Sequence, residues 1–322
     1  MTNEELSAIS GLPAEARKFT QIIMEWMLPS RVRKQADAVK YAIEQIMPAA
    51  ASQALKIKSF MFDKDGVRIE GEQSEKPLNL SQRAQLRIEA EDERQQTNIE
   101  SVLHHGFRET FALPQGQTHE DRPNEDWMAR FFSIVPDISD MEMQMLWGRI
   151  LSGEINSPGS YRLRTLDLLK NISSKEALIF SKFARLTFNY RFIFFDEAKL
   201  KDFDIIYDDI LNMEAIGLVQ RNLFLVAGEA DRKKGRLEIR YNGRVFAMNI
   251  SRDKSFPDMS CICLTPSGTE LASLTRERYK EYYELLHEFY KVRGYQPMDY
   301  SSSTMSAPWA PLERKKDHHV WG

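Results

Sequence analysis

The stretch of sequence that decides the fold is residues 126–173, which read DWMARFFSIVPDISDMEMQMLWGRILSGEINSPGSYRLRTLDLLKNIS. Aromatic and aliphatic residues recur in it at the spacing of amphipathic helices. Three helix starts are predicted, at the candidate N-cap Asn124, at a capping box formed by Ser139 and Glu142, and at Ser160. The turn NSPGS at 156–160 separates the second helix from the third. The stretch therefore predicts three short helices.

Upstream of this stretch the sequence also predicts helices. Apolar residues recur at helical spacing from Pro13 to Met47, with a break at Pro29. Residues 63–79 are polar, with two glycines and a proline, and predict a loop. A highly charged helix is predicted at 81–111, and its apolar residues are sparse in the first half. Such a helix is expected to be exposed over most of its surface or to pair with another chain.

Downstream, the sequence predicts an α+β module. Ser173 and Glu176 form a capping box for a helix that runs to about Thr187, and a second helix is predicted from about Phe203 to Ala215. Asn242-Gly243 is a strong signal for a two-residue hairpin. Thr265 followed by Pro266 predicts the start of a closing helix that runs to about Arg293. The strands are predicted from apolar or alternating runs at 192–195, 218–227, 236–241, 245–250 and 260–264.

The predicted fold class is therefore mainly α with an α+β C-terminal part. The predicted regions are a helical N-terminal region at 1–118, a central three-helix segment at 119–172, a winged-helix-like module at 173–296 and a disordered tail at 297–322. The winged-helix prediction rests on the order of elements, which is helix, helix, hairpin-containing strands and closing helix. The tail is predicted to be disordered or to bind a partner, because Ser, Pro and charged residues follow one another in it without a period.

Composition narrows the class of protein. The chain has 322 residues, of which 42% are hydrophobic, and a formal net charge of -3, so any nucleic-acid site must be a local basic patch. Its two cysteines, Cys261 and Cys263, argue against a disulfide framework and favour a reducing compartment. The N-terminus lacks the pattern of a secretory signal, and no apolar run has the length of a membrane span. A cytoplasmic protein without a cofactor is expected.

Several residues carry a resemblance to a known family. The strongest are in the decisive stretch, and a looser set lies in the charged helix. These residues are Trp127, Ala129, Arg130, Phe131, Phe132, Trp147, Gly148, Arg149, Ile150, Leu151, Gly153, Glu154, Pro158, Gly159, Ser160, Arg164, and upstream Arg94, Gln95, Asn98, Ile99 and Glu100. In them the chain resembles a bacterial family of unknown function related to the abortive-infection alpha proteins, which occur among prophage and defence genes. The resemblance implies a helical bacterial protein with a role in defence and supplies no catalytic residues.

The aromatic and arginine residues of the decisive stretch are one candidate partner-binding surface. Trp, Arg and Phe are the residue types that dominate interface hot spots. In the alternative reading, the aromatic residues form a helical core and the arginines pair with Asp137, Asp140 or Glu154. The candidate partner-binding residues are Trp127, Arg130, Phe131, Trp147, Arg149 and Arg164.

The predicted hairpin region is the candidate nucleic-acid site. Between Asp231 and Lys254 there are eight basic residues and three acidic ones, a local net charge of +5. Such a segment can bind phosphates by displacing counterions. In the alternative reading, the same charges keep a strand edge from aggregating. The basic residues are Arg232, Lys233, Lys234, Arg236, Arg240, Arg244, Arg252 and Lys254, and a weaker basic patch comprises Arg31, Arg33 and Lys34.

Catalytic chemistry has little support in the sequence. Asp202, Asp204, Asp208 and Asp209 lack a histidine or further carboxylate at metal-ligand spacing, and acids are favoured in a first helical turn in any case. Cys263 with His287 is a possible nucleophilic pair only if the fold brings them together, and no Gly-x-Ser-x-Gly elbow or phosphate loop is present. No catalytic, cofactor or metal residue is predicted.

Three functional hypotheses follow. The first is a non-enzymatic bacterial or prophage protein that acts in anti-phage defence through a protein partner or self-association. The second is a winged-helix regulator that binds nucleic acid through the 231–254 hairpin. The third is a cryptic hydrolase or nuclease that uses unpaired acids.

Overall fold

A computed structural model describes residues 12–27, 59–63, 66–70, 79–112, 121–189, 191–225, 229–231, 236–249, 259–275 and 277–300. The protein is mainly helical, with two small antiparallel sheets in its C-terminal part. The described residues up to Gly159 form one compact unit, and those from Ser160 onward form another. The finer division into four regions stays a prediction.

The N-terminal unit is built from helices and one hairpin. The hairpin pairs its two strands in antiparallel register, from Ser59 opposite Glu70 to Asp63 opposite Gly66. The loop predicted at 63–79 is therefore wrong for Gly66–Glu70, where apolar and charged residues alternate as in a strand. The elements are α1 (Ala14–Met27), β1 (Ser59–Asp63), β2 (Gly66–Glu70), α2 (Leu80–Thr110), α3 (Glu125–Ile134) and α4 (Met141–Asn156).

Two glycines bring α2 and α4 together. A Cβ added at Gly148 would lie 2.7 Å from the backbone N of Gly106, and one added at Gly106 would lie 3.1 Å from the carbonyl oxygen of Gly148. The two helix backbones therefore touch, which only glycine permits at that separation. Around this crossing the core buries large side chains, among them Phe19, Leu103 and Trp147.

The helix starts of this unit follow the prediction in part. Asn124 is the N-cap of α3, because its Oδ1 accepts hydrogen bonds from the N–H groups of Asp126 and Trp127. The capping box predicted at Ser139 is wrong. Asp140 is the N-cap of α4 and accepts from the N–H of Met143 at 2.9 Å. The hydroxyl of Ser139 accepts instead from Asn98 Nδ2, so it serves the contact with α2.

The C-terminal unit contains the two small sheets. Its elements are α5 (Leu163–Leu169), α6 (Ser174–Arg185), β3 (Phe192–Phe194), α7 (Glu197–Lys201), α8 (Tyr207–Ile216), β4 (Val219–Leu225), β5 (Glu229–Asp231), β6 (Arg236–Tyr241), β7 (Arg244–Asn249), β8 (Met259–Leu264), α9 (Pro266–Ala272), α10 (Lys280–Lys291) and β9 (Met298–Tyr300). One sheet has the strand order β3-β8-β4 and the other β5-β6-β7-β9, and all neighbouring strands are antiparallel.

Several local predictions are confirmed in this unit. Asn242 and Gly243 have φ values of 51° and 73°, and they join β6 to β7 as a two-residue turn. Ser173 and Glu176 form the predicted capping box of α6. Thr265 is the N-cap of α9, with Pro266 as its first residue. The predicted start at Ser160 is wrong, since α5 begins at Leu163.

Two helices predicted in this unit have different bounds in the structure. The helix predicted over 203–215 begins only at Tyr207, since Asp204 has a φ of 57° and Ile206 is extended. The closing helix predicted over 266–293 is two helices, α9 and α10. Met298–Tyr300, at the start of the predicted tail, form β9, and residues 301–322 lie outside the described residues.

Aromatic side chains fill the C-terminal core. The amide N–H of Phe194 donates to the hydroxyl of Tyr282 at 2.7 Å, which ties β3 to α10. The hydroxyl of Tyr241 lies 2.6 Å from the carbonyl oxygen of Arg185 and 2.9 Å from that of Tyr279, and these two acceptors share its one proton. Burial raises the pKa values of Tyr241 and Tyr282, so both phenols stay protonated at neutral pH. Within the described ranges, every helix is too short or too polar to cross a membrane.

Candidate interaction surfaces

The aromatic residues predicted to bind a partner lie in the N-terminal core. Trp127 is 3% exposed, and Phe131 and Trp147 are fully buried. The ring of Phe131 stacks on Trp127 at a centroid distance of 5.2 Å and meets Trp147 edge-on at 5.5 Å. These contacts agree with the core reading of the aromatic residues. Partner binding through them stays a prediction.

The arginines predicted to accompany them are dispersed. Arg149 Nε lies 3.4 Å from Glu109 Oε1. Arg130 is exposed on α3, and Arg164 is exposed on α5 in the C-terminal unit. Asp137, predicted to pair with one of these arginines, has its Oδ1 3.4 Å from Nη2 of Arg94. The carboxylate of Glu154 accepts a hydrogen bond from the N–H of Gly159 at 2.6 Å. Arg164 therefore lies in a different unit from the other five residues, and partner binding through the six stays a prediction.

Sequence reasoning missed a buried amide network in the N-terminal unit. Gln144 Nε2 donates to Asn98 Oδ1 at 3.1 Å and to the carbonyl oxygen of Ile138 at 2.8 Å. Asn98 Nδ2 donates to the carbonyl oxygen of Pro136 at 2.7 Å, and Ser101 donates to Gln144 Oε1 at 2.6 Å. The network holds α2 against the segment between α3 and α4. The hydrogen-bonding groups of the network are neutral amides and a hydroxyl, so we assign the network a structural role.

The basic hairpin is only partly within the described residues. Arg232, Lys233, Lys234, Arg252 and Lys254 lie outside them, as do Arg31, Arg33 and Lys34 of the weaker patch, and Arg236 is described only as part of β6.

The two described arginines of the hairpin are engaged with acids of their own unit. Arg240 Nη2 donates to Glu238 Oε2 at 2.7 Å. The guanidinium of Arg244 lies 3.6 Å from the ring centre of Tyr283 and pairs with Glu284 at 3.2 Å and Asp299 at 3.7 Å. These ion pairs reduce the positive charge that the two arginines offer to a phosphate.

An exposed apolar surface, not anticipated from the sequence, lies on α8. Ile206 is 50% exposed, and Tyr207 and Leu211 are each 39% exposed. Tyr207, Leu211 and Ala215 follow one another at four-residue spacing, so they share one side of the helix. The opposite side packs into the core through the fully buried Ile210 and Met213. We call Ile206, Tyr207, Leu211 and Ala215 the α8 face.

Arg221 on β4 holds the start of this face in place. Its Nε donates to Glu214 Oε2 at 2.7 Å, and its Nη1 donates to the hydroxyl of Tyr207 at 2.5 Å. The guanidinium also lies 5.6 Å from the centre of the Tyr207 ring. Tyr207 is thus fixed by β4 and cannot turn freely, which lowers the entropy that it would lose on binding a partner.

The residues weighed for catalysis are used in other ways. Lys182 donates to the carboxylate and carbonyl oxygens of Asp204, and Asp209 accepts from the N–H of Ile206 to cap α8. Among the described residues, no group of three or more His, Cys, Asp or Glu side chains is arranged to hold a metal ion. Burial raises the pKa values of Cys261 and Cys263, so both are thiols rather than nucleophilic thiolates at neutral pH.

Residues 82–193 match a family described as Protein of unknown function (DUF2806). A domain of unknown function therefore runs from the third residue of α2 into β3. It includes the amide network and the buried Trp127, Phe131 and Trp147. No curated protein and no solved structure matches the chain. The match carries no link to the abortive-infection proteins.

Proposed function

We propose that this protein acts without catalysis, as a bacterial interaction protein whose C-terminal unit binds a protein partner through the α8 face. The observation that carries the proposal is the composition of this face. Three large apolar side chains are exposed together on and beside α8, and the helix contains Asp208, Asp209 and Glu214 but no lysine or arginine. Apolar residues with a polar rim are typical of a protein interface.

The order of elements around α8 supports a winged-helix-like module as the setting of this face. The chain runs α6, β3, α7, α8, β4 and then β8, and β8 pairs with both β3 and β4. A winged helix has this succession of a helix, a strand, two helices and two further strands. In that arrangement α8 stands where a helix-turn-helix protein carries its recognition helix, the element that meets the ligand. The segment between β4 and β8, lengthened by β5, β6 and β7, stands where the wing would be.

The charge of α8 favours a protein ligand over a nucleic acid. Phosphate binding depends on lysine and arginine, and a recognition helix without either would bring its acids towards the phosphate backbone. Exposed Ile206 and Leu211 gain nothing from a phosphate, whereas burial against an apolar partner removes them from water.

Substitution of Leu211 by aspartate is expected to weaken binding of the partner. A central apolar contact contributes about 2 kcal/mol or more, so binding should weaken by roughly 30-fold or more. To identify the partner, the purified wild-type chain is immobilised and exposed to bacterial lysate, and the retained protein is identified. That protein is then titrated against both chains.

Val292→Asp is the matched control, because Val292 is also a largely exposed apolar residue of the C-terminal unit but lies at the end of α10. Circular dichroism checks that both variants keep their helices. A partner that binds Leu211→Asp as tightly as the wild type would refute the assignment of the α8 face.

A nucleic-acid-binding regulator is the second candidate function, favoured by the net charge of +5 between Asp231 and Lys254 in the position of a wing. On the first proposal, labelled duplex and single-stranded DNA should not bind the chain even at low salt. Binding that weakens steeply with salt and disappears when Arg232, Lys233, Lys234 and Arg236 are all replaced by glutamate would establish the regulator instead.

The resemblance to abortive-infection alpha proteins supports a role of this interaction in anti-phage defence. Bacteria that express the protein are expected to yield fewer plaques than bacteria that express Leu211→Asp, because the same partner contact would be required. Equal plaque numbers for wild type, variant and empty vector would reject the defence role and leave the α8 interaction to be judged by the binding titration.

A further inference from the structure

Residues 301–322 continue the chain from the last strand of the C-terminal unit, β9. One block of them, 307–312, reads APWAPL, and three basic residues follow at 314–316. Prolines at 308 and 311 give this block the Pro-x-x-Pro spacing. Such segments favour the polyproline II conformation and bind to surfaces that carry aromatic side chains. We call residues 308–316 the tail segment.

α10 contacts both β9 and the residues that precede α8. On one side, the hydroxyl of Tyr283 in α10 is hydrogen-bonded to the carboxylate of Asp299 in β9. On the other side, the ring of the neighbouring Tyr282 meets Phe203 edge-on at a centroid distance of 5.6 Å. Phe203 precedes Ile206, the first residue of the α8 face, by three positions. The tail therefore leaves the unit from a strand that is one helix away from the α8 face.

The tail is long enough to reach the α8 face. Even if every link of this path through α10 were fully extended, Asp299 and Ile206 would be no more than about 40 Å apart. The links do not run in a straight line, so the true separation is shorter. The twelve residues from Tyr300 to Leu312 span up to about 40 Å. The tail segment can therefore lie on the α8 face of its own unit.

The α8 face has the features that bind such a segment. Its apolar side chains are exposed together, and Arg221 on β4 donates to the hydroxyl of Tyr207, which fixes an aromatic ring at the surface. The other exposed large apolar residues described in this unit, no two of which share an element, are Leu163, Leu178, Val292 and Met298. The α8 face is therefore the described surface on which such side chains are grouped on one element.

The spacing of the apolar side chains agrees on the two sides. In polyproline II, Trp309 and Leu312 lie on one side of the segment, about 9 Å apart. Along α8, Tyr207 is about 6 Å from Leu211 and about 12 Å from Ala215. A tail segment that runs opposite to α8 would place Leu312 on Tyr207, and the indole of Trp309 beside Leu211 and over the small side chain of Ala215.

The charges favour this direction. The basic residues at 314–316 would then lie towards the start of α8, where Asp208 is exposed and lies three residues before Leu211 on the helix surface. The acid nearer the other end, Glu214, is already paired with Arg221 at 2.7 Å. α8 itself has no lysine or arginine to repel the basic residues.

We propose that the tail segment docks on the α8 face of its own C-terminal unit. A short linker gives the segment an effective concentration of about 1 mM, which exceeds a micromolar concentration of second copies, so the chain's own tail is the favoured occupant. The consequence for partner binding rests on the proposed function, because the tail then covers the face that the partner needs. A partner must displace the tail in order to bind.

A labelled peptide of residues 307–317, titrated with full-length variants, tests the docking. Trp309→Asp removes the main apolar contact of the chain's own tail and opens the face. This variant is expected to bind the peptide with a Kd of about 100 μM, which is reasonable for a short apolar contact. The wild type should bind the peptide about 10-fold more weakly, because its tethered tail competes at about 1 mM.

Two further substitutions, each made in the Trp309→Asp chain, locate the peptide. Leu211→Asp should weaken peptide binding by about 10-fold or more. Val292→Asp is the matched control and should leave it unchanged, since Val292 is exposed at the end of α10. Circular dichroism checks that all variants are folded. The inference is overturned if the peptide fails to bind the Trp309→Asp chain at 1 mM, binds the wild type equally well, or is unaffected by Leu211→Asp.

The peptide titration needs no partner, so it separates this inference from the proposed function. A lysate that yields no protein bound to the α8 face would count against the proposed function and leave the peptide result as it stands. Where a partner is retained, Trp309→Asp should bind it about 10-fold more tightly than the wild type does. Equal affinity of the two chains for that partner would show that the tail does not cover the face.

Discussion

Replacement of Gly268 by alanine is expected to destabilise the C-terminal unit by about 3 kcal/mol or more, which is the upper range for forcing extra volume into a packed site. A Cβ at this position would overlap with the carbonyl oxygen of Leu218, a backbone atom that cannot rotate away. That carbonyl also accepts from the N–H of Thr265 at 3.0 Å, and the N–H of Gly268 donates to Thr265 Oγ1 at 3.1 Å. Relief of the clash would therefore disturb the start of β4, the end of β8 and the cap of α9 together.

Urea denaturation followed by circular dichroism measures this effect. Ser273→Ala serves as the control, because the hydroxyl of Ser273 donates to the carbonyl of Glu270 in the preceding turn of α9, a bond within the same helix. The control should change the free energy of unfolding by no more than about 0.5 kcal/mol. If Gly268→Ala unfolds at the same urea concentration as the wild type, α9 does not approach Leu218 as closely as the structure has it.

Local signals explain why several elements could be predicted from the sequence. The Asn242-Gly243 turn, the Ser173–Glu176 box and the Thr265-Pro266 helix start each act within four residues. The side chain or backbone preference that forms them lies inside the same short window. Ser139 shows the limit of such reasoning. The residues around Ser139 have the pattern of a capping box. Its hydroxyl instead accepts a hydrogen bond from the side chain of Asn98, which is 41 residues earlier in the sequence.

The charge of the hairpin shows a second limit of reading the sequence alone. The count of +5 over residues 231–254 includes only acids that are nearby in sequence. Arg244 is paired with Glu284 and Asp299, which the fold brings to it from α10 and β9. A window of sequence cannot include these partners, so it overstates the charge available to a phosphate.

The α8 face was not predicted for a related reason. Helical spacing in the sequence around Tyr207 identifies a helix, but both sides of it carry apolar residues. Which side is buried is decided by the sheet of β3, β8 and β4 and by α6, against which α8 packs. Ile210 and Met213 take the buried side, and Tyr207 and Leu211 are left at the surface. Which side of α8 is buried therefore depends on contacts between elements and cannot be derived from the composition of the helix.

Substitution of Trp147 by alanine is expected to lower the free energy of unfolding of the N-terminal unit by about 3–5 kcal/mol, the usual cost of removing a large aromatic side chain from a core. Trp147 is fully buried and meets the ring of Phe131 at 5.5 Å. If Trp147 instead served mainly as a partner contact, its removal would leave the isolated chain as stable as before and weaken only association. Urea denaturation at low protein concentration separates the two readings.

Two further variants make the measurement decisive. Trp147→Phe keeps most of the ring volume and sacrifices no hydrogen bond, since the buried indole N–H has no hydrogen-bond partner among the described residues. It should therefore cost less than half as much as Trp147→Ala. Arg164→Ala removes a residue from the same predicted surface that is exposed on α5, and it should shift stability by no more than about 0.5 kcal/mol. Equal stability of all three variants would contradict the packed core, because a cavity the size of an indole cannot be filled without cost unless the surrounding side chains are loosely held.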